Sequence, residues 1–196
     1  YSSTTLGRNI SYAYVGVKDA LYYLQQIENE IDDPLYVVAY SPKVIEISKN
    51  SDVYNILKEW TLGKELNDLT KYGENLTEKD VKQIIDNSAW QSYTFYRVLD
   101  AIQHKKKYEA LYIWQSIVYG VPKDALNLVK LKGIGRKTAL KLYELGYTKK
   151  SEICGNLQEV LKKLEPNLQW RIKNLCETKK TNSTQTTIED FVEGEE

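Results

Sequence analysis

Two glycines in the last third of the chain carry the most specific chemistry in the sequence. They lie in Leu131-Lys132-Gly133-Ile134-Gly135, between the end of one predicted helix and the start of the next. Because glycine lacks a Cβ atom, the backbone there can turn tightly and approach another surface closely. The amide N–H groups of this turn, and of the first turn of the following helix, would then point outward and be available to a phosphate.

Charged and apolar neighbours strengthen this interpretation. Arg136, Lys137 and Lys141 supply positive charge beside the turn, and Ile134 is the apolar side chain expected to fix it between its two helices. The pattern matches the helix-hairpin-helix of DNA repair and replication proteins, which grips the DNA backbone without reading sequence. A glycine-rich turn that binds no ligand is the alternative. We favour DNA contact because flanking helices and an Arg-Lys-Thr-Ala continuation accompany the glycines.

A tryptophan on a long predicted helix offers a second kind of contact. The helix follows the cap residue Thr77 and runs to about Gln103. Trp90 falls on nearly the opposite side from the helix's apolar stripe, and Gln83 and Arg97 share its face, seven residues away on either side. Such an indole can stack on an unpaired base; packing against another helix is the alternative. The stripe consists of Val81, Ile84, Ile85, Ser88, Ser92, Phe95, Tyr96, Leu99 and Ile102.

The acidic C-terminal tail contains a short pattern typical of a protein-binding peptide. Gln185, Ile188, Phe191 and Val192 follow the spacing of the motif that binds the sliding clamp (PCNA), with valine in place of the second aromatic residue. In one helical turn Ile188 and Phe191 share a face that can enter an apolar pocket, while the Gln185 amide anchors the peptide. A tail without a binding role is the alternative, because motifs this short often arise by chance.

Metal-dependent chemistry finds little support in the sequence. His104, Cys154 and Cys176 are the only histidine and cysteines, too few for a zinc site of about four ligands. We expect the cysteines to be reduced, intracellular thiols, because no signal peptide precedes them. A nuclease is the least expected class of enzyme, since no convincing metal cluster is formed by the carboxylates of Asp32, Asp33, Asp80 and Asp86.

These candidate residues must be positioned by helices. Helical periodicity is common along the chain and strand patterns are scarce, so we predict an all-α fold. A helical bundle is predicted over residues 17–121, then a small helix-hairpin-helix domain over 122–177, and a flexible polar tail over 178–196. Pro122 stands where a helix begins, next to the boundary between the two domains.

A formal net charge of zero conceals an uneven distribution of charge. Residues 130–180 contain 13 Lys and Arg and 5 Asp and Glu. Residues 181–196 contain no Lys or Arg and 5 Asp and Glu. The basic block includes the glycine turn, which favours phosphate contacts, although a solvated lysine-rich surface is the alternative. No apolar run approaches the roughly 18–20 residues of a membrane span, so we expect no membrane partner.

Four collinear stretches resemble archaeal Hjm-type helicases, which belong to superfamily two and are related to eukaryotic HELQ. The first resembles the exit from the family's winged helix, which we assign to residues 1–16. The next two resemble its ratchet domain, and the last resembles its terminal helix-hairpin-helix module. In chain order the stretches are Thr5-Leu6-Gly7-Arg8-Asn9-Ile10-Ser11, Leu57-Lys58-Glu59-Trp60 with Lys71-Tyr72-Gly73, Ala89-Trp90, and Gly133-Ile134-Gly135-Arg136 with Lys141-Leu142-Tyr143 and Gly146.

The resemblance implies the C-terminal DNA-binding portion of an ATP-dependent 3′–5′ DNA helicase that acts on forked or branched DNA in replication-coupled repair and recombination. Trp90 would stack on single-stranded DNA as a ratchet, with Lys82 and Arg97 as charge partners. Gln83 stands where the family often has arginine. The sequence has no P-loop and no Asp-Glu-x-His box, so ATP and Mg²⁺ would belong to motor domains outside this chain. A monomer in the archaeal cytoplasm, associated with the nucleoid, is expected.

Two other functions stay open on the sequence alone. A stand-alone adaptor would bind branched DNA and the sliding clamp without catalysis, although the absence of methionine favours a fragment of a longer protein. A helical scaffold would instead bind another protein through the Trp90 face. Its affinity for DNA would be weak and unaffected by loss of Trp90.

Overall fold

The computed structural model describes residues 16–177, and every regular element in that range is helical. The prediction of an all-α fold is therefore confirmed for this part of the chain. The residues fall into two compact units, divided in sequence between Lys123 and Asp124. None of the helices described in residues 16–177 has the length and apolarity needed to cross a membrane.

Two of the sequence-based predictions fall outside the described residues. Of residues 1–16, which we assigned to a winged-helix exit, only Gly16 is described. The predicted clamp-binding peptide, with Gln185, Ile188, Phe191 and Val192, lies wholly beyond Glu177. Both stay predictions.

The first unit is organised around one long helix that carries Trp90. This helix, α6, is preceded by five shorter helices and the 3-10 turn Thr70–Tyr72, and is followed by a partner that packs along it. The helices are α1 (Val17–Glu28), α2 (Pro34–Ala39), α3 (Pro42–Ile47), α4 (Val53–Thr61), α5 (Leu66–Leu69), α6 (Glu78–Ala101) and α7 (Lys107–Tyr119).

The start of α6 is fixed by a capping box. The Thr77 Oγ1 atom accepts a hydrogen bond from the Asp80 N–H at 3.2 Å, and Asp80 Oδ2 accepts one from the Thr77 N–H at 3.0 Å. Lys49 Nζ donates to Asp80 Oδ1 at 2.7 Å. This bond, followed by those from Thr77, lowers the pKa of the Asp80 carboxyl from its ordinary value. The predicted helix start is therefore confirmed, because its signal is local in sequence.

Polar side chains take part in the core of the first unit. The buried Tyr23 hydroxyl donates to Gln91 Oε1 at 2.6 Å, which joins α1 to α6. Burial raises the pKa of Tyr23, so the hydroxyl keeps its proton for this bond. Trp60 Nε1 donates to the Ile117 carbonyl oxygen at 2.7 Å and joins α4 to α7. Trp60 is thus a structural residue of the bundle.

The second unit is a small cluster of short helices with its own apolar core. The 3-10 turn Lys123–Ala125 leads into α8 (Leu126–Val129), and the hairpin glycines separate it from α9 (Arg136–Glu144). Three further helices follow: α10 (Lys150–Gly155), α11 (Leu157–Lys163) and α12 (Pro166–Glu177). The core side chains include Leu128, Leu131, Ile134, Ala139, Leu142, Ile153, Val160, Leu164, Ile172 and Leu175.

The prediction of two reduced thiols is wrong. Cys154 of α10 and Cys176 of α12 form a disulfide, with their Cα atoms 5.4 Å apart. The prediction rested on the rule that intracellular proteins keep cysteines reduced, and that rule has an exception in the intracellular proteins of hyperthermophiles. The bond ties the last described helix to the body of the second unit.

Candidate nucleic-acid interface

The turn between α8 and α9 has the geometry of a tight glycine hairpin. Gly133 has a φ of +85°, in the left-handed region that side chains other than glycine rarely adopt. Ile134 follows, is buried at 5% exposure in the core of the second unit, and donates its N–H to the Leu131 carbonyl at 2.9 Å. Gly135 has an ordinary φ of −91° and is the N-cap of α9. The buried Ile134 side chain therefore anchors the turn to the core of the second unit.

The outer side of this hairpin is open within the second unit. A Cβ atom built on Gly133 or on Gly135 would meet no other atom within 4 Å. Gly135 provides no side chain to cap α9, and the first bond of the helical ladder runs from the Ala139 N–H to the Gly135 carbonyl at 2.9 Å. The amides of the first turn precede that bond, so they lack a carbonyl partner within the helix. A phosphate oxygen suits such a position.

The next turn of the same unit shows what an occupied helix start looks like. Glu152 Oε2 accepts hydrogen bonds from the N–H groups of Thr148 and Lys149, at 2.9 and 3.1 Å. These bonds, that from Thr148 first, lower the pKa of the Glu152 carboxyl from its ordinary value. The start of α10 thus holds a carboxylate from its own chain, whereas Gly135, the N-cap of α9, has no side chain that could do the same.

The three cations predicted for the hairpin differ in their surroundings. Lys137 and Lys141 are exposed, and Arg136 is half-buried with an interaction of its own. Lys141 Nζ lies 3.3 Å from Glu144 Oε2, in an exposed pair one helical turn apart. Exposed pairs of this kind contribute little and exchange readily. The hairpin therefore combines open amides with side-chain charge that a phosphate can engage.

Trp90 lies on the exposed side of α6, as the sequence predicted. Its side chain is 51% exposed, whereas Val81, Ser88 and Leu99, on the far side of the helix, are buried. Gln83 is exposed, and Arg97 is half-buried with an interaction of its own. The packing alternative for Trp90 is therefore not realised within the first unit.

Lys82 has a partner that sequence reasoning did not assign. Its Nζ atom lies 2.8 Å from both carboxylate oxygens of Asp86, one helical turn further along α6. Asp86 in turn precedes Trp90 by one turn, which places a carboxylate near the indole. Both members of the pair are exposed, so the pair contributes little to stability and the lysine can exchange its partner.

Sequence reasoning missed an aromatic cluster between α6 and α7. Tyr93, three residues further along α6, has its ring centroid 4.9 Å from that of Trp114 on α7. Trp114 is also parallel to Tyr96, with an interplanar angle of 3° and centroids 6.5 Å apart. The i, i+3 spacing of Trp90 and Tyr93 was visible in the sequence, but the contribution of Trp114 depends on how α6 and α7 pack. At about 100° per residue Tyr93 lies some 60° around α6 from Trp90, whereas Tyr96 belongs to the apolar stripe.

The described residues offer no competing metal site. No group of three or more His, Cys, Asp or Glu side chains within residues 16–177 is placed to hold a metal ion. Asp80 and Asp86, considered as carboxylates from the sequence, bind Lys49 and Lys82. The candidate interface consists of backbone amides, cationic side chains and aromatic rings.

Alanine at the two hairpin glycines is expected to have different effects on folding. Gly133→Ala should lower the free energy of unfolding of the second unit by about 1–2 kcal/mol, because alanine resists the left-handed conformation. Gly135→Ala, at an ordinary φ and with open space around it, should change it by less than about 0.5 kcal/mol. Urea unfolding followed by circular dichroism measures both. Equal losses in the two variants would contradict this account of the hairpin.

No family model matches the chain, and two of the proteins similar to it are helicases. The chain is 32% identical over 168 residues to the protein named "Putative helicase 7" of a Sulfolobus islandicus filamentous virus. It is 29% identical over 132 residues to an ATP-dependent DNA helicase, Hel308, of Methanococcus vannielii. The alignments cover 84% and 66% of this chain, but only 28% and 17% of the respective relatives. The chain is thus related to a region of helicases, and spans less than a third of either relative.

Proposed function

We propose that this chain is the DNA-binding C-terminal portion of an ATP-dependent 3′–5′ DNA helicase of the Hjm type. Such an enzyme would act on forked or branched DNA in replication-coupled repair and recombination. The relatedness to helicases over most of the chain supports the proposal. The observation that carries it is Trp90, which is half exposed on the face of a 24-residue helix opposite its buried side.

In this proposal Trp90 stacks on a base of the translocating strand. Stacking suits any base, because every base has a flat apolar face, and a motor protein must move along all sequences. Gln83 and Arg97 lie almost two helical turns away along the same face of α6, within reach of neighbouring nucleotides. Lys82 would exchange Asp86 for a phosphate. That exchange costs little because the ion pair is exposed.

The glycine hairpin forms the second contact. Its open amides, with Arg136, Lys137 and Lys141, would hold phosphates of the same strand without reading sequence. ATP and Mg²⁺ belong to motor domains that we place outside this chain, so the chain alone would bind DNA without turnover. A sliding clamp would be bound by Gln185–Val192, and the protein would act as a monomer in the archaeal cytoplasm, associated with the nucleoid.

Loss of the Trp90 ring is expected to weaken binding to single-stranded DNA. Trp90→Ala should raise the dissociation constant of a fluorescein-labelled oligothymidylate of about 20 nucleotides by about 5- to 100-fold, the effect of one base–aromatic stack. Fluorescence anisotropy at two salt concentrations measures it. Tyr36→Ala is the matched control, because Tyr36 is 52% exposed, similar to the 51% of Trp90, and is not a residue of the proposed path.

The outcomes of this titration separate the proposed function from its rivals. Salt-sensitive binding that drops in Trp90→Ala and not in Tyr36→Ala supports a stacking ratchet. Equal affinities of wild type and Trp90→Ala would remove Trp90 from the DNA path and leave the basic hairpin as the site. If the wild-type chain binds no DNA at low salt, the DNA-binding function fails and a protein-binding scaffold takes its place.

A further inference from the structure

A second exposed tryptophan lies in the second unit, and the proposed function does not use it. Trp170 of α12 is 67% exposed, more than Trp90. The same helix buries Ile172 and Leu175 in the core of the second unit. At about 100° per residue, those two side chains point roughly 140–200° away from Trp170 around the helix. The Trp170 indole therefore lies on the outward face of α12 and is not part of that core.

The helix that carries Trp170 is held firmly in place. Cys176 joins α12 to α10 through the disulfide with Cys154, and the buried Ile172 and Leu175 add apolar packing on the same side. An aromatic ring on a fixed helix loses little conformational entropy when it binds a flat partner.

The charges beside Trp170 point to the kind of partner. Arg171 and Lys173 are both exposed, and in the described part of the chain neither belongs to an ion pair. Lys173 lies one turn from Trp170 on the same side of α12, and Arg171 lies about 100° around the helix from Trp170 in the other direction. The residues of the second unit that the structure describes, 124–177, contain 11 Lys and Arg against 6 Asp and Glu. A flat apolar ring flanked by cations is complementary to a base and its adjacent phosphates.

We propose that Trp170 is a second stacking site for single-stranded DNA, with Arg171 and Lys173 binding the phosphates on either side of the stacked base. This inference rests on the proposed function, because it names a further contact for the same class of ligand. It assigns the second unit two modes of binding. The hairpin binds the backbone alone, whereas the Trp170 face binds a base and therefore requires an unpaired strand.

Two variants of Trp170 test the stack by affinity and by fluorescence. Trp170→Ala should raise the dissociation constant of the full chain for an oligothymidylate of about 20 nucleotides by about 5- to 100-fold. Trp170→Phe keeps a ring, so it should retain most of the affinity while removing part of the tryptophan quenching that the oligonucleotide causes in the wild type. Tyr36→Ala is again the control for loss of an exposed ring. Circular dichroism establishes that each variant is folded.

Binding to a duplex of the same length distinguishes base stacking from simple charge attraction. Trp170→Ala should leave the affinity for a blunt duplex unchanged within about twofold, because its bases are already stacked. Arg171→Gln with Lys173→Gln should weaken binding to both ligands. If wild-type chain binds the single strand and Trp170→Ala binds it equally well, the Trp170 site is refuted while the proposed function stands. If the wild type binds no single strand, both fail.

Discussion

Breaking the disulfide between Cys154 and Cys176 should lower the free energy of unfolding of the second unit by about 3 kcal/mol. The bond joins residues 22 apart in sequence, and closing a loop of that length removes conformational freedom from the unfolded chain. Small domains are marginally stable, and a unit of this size has a small apolar core, so the loss is a large fraction of its total stability. The expected fall in melting temperature is roughly 10–25 °C.

Calorimetry with and without a reductant measures this effect. The wild-type chain should show a lower melting transition for the second unit under reducing conditions. A variant with Cys154→Ser and Cys176→Ser should melt at that lower temperature with or without reductant, which makes it the control for effects of the reductant itself. Two titratable thiols in the unreduced, folded wild type, with no effect of reductant on melting, would contradict the disulfide. Since α12 is one of the bonded helices, reduction should also weaken any contact made through Trp170.

The parts of the fold that sequence analysis predicted well rest on local signals. Thr77 and Asp80 are three residues apart, and a capping box involves only those residues. Gly133 turns the hairpin in the left-handed conformation, with a φ of 85°, which glycine adopts readily. Helical spacing alone also predicted that Trp90 lies opposite the buried stripe of α6. Each of these depends on one segment of the chain.

The parts that sequence analysis missed depend on which segments meet. The pairing of Cys154 with Cys176 was rejected because of the expected cellular compartment, which carries no information about distance in the fold. Trp114 lies against Tyr93 and Tyr96 only because α7 packs along α6. One omission was avoidable, since Lys82 and Asp86 have the i, i+4 spacing at which opposite charges pair on a helix.

Removing the three hairpin cations is expected to have the largest effect on DNA binding. Arg136→Gln, Lys137→Gln and Lys141→Gln together should lower the affinity for single-stranded DNA by about 10- to 1,000-fold at low salt. For each phosphate contact that the variant loses, fewer counterions are released when it binds DNA. The slope of log affinity against log salt concentration should therefore become less steep by about 2, since each contact with a single strand contributes about 0.7.

A second triple variant in the same unit distinguishes contact from general attraction. Lys149→Gln, Lys162→Gln and Lys163→Gln remove the same charge from residues that belong neither to the hairpin nor to α9. Long-range attraction would make the two triple variants equivalent at low salt, where screening is weak. Direct phosphate contact predicts that the salt slope changes strongly only in the hairpin variant.

The backbone amides of the hairpin need a test of their own, because side-chain charge and open amides both favour a phosphate. Gly135→Ala keeps every cation and is expected to fold normally, yet its new methyl group stands on the outer side of the turn, where the structure leaves open space. If a phosphate sits against this backbone, Gly135→Ala should weaken binding by about 10-fold with an almost unchanged salt slope, because the loss is one of close approach and of hydrogen bonds. An unaltered affinity in Gly135→Ala, together with a reduced slope in the cation variant, would mean that the hairpin attracts DNA through its side chains alone and that its glycines serve only the turn.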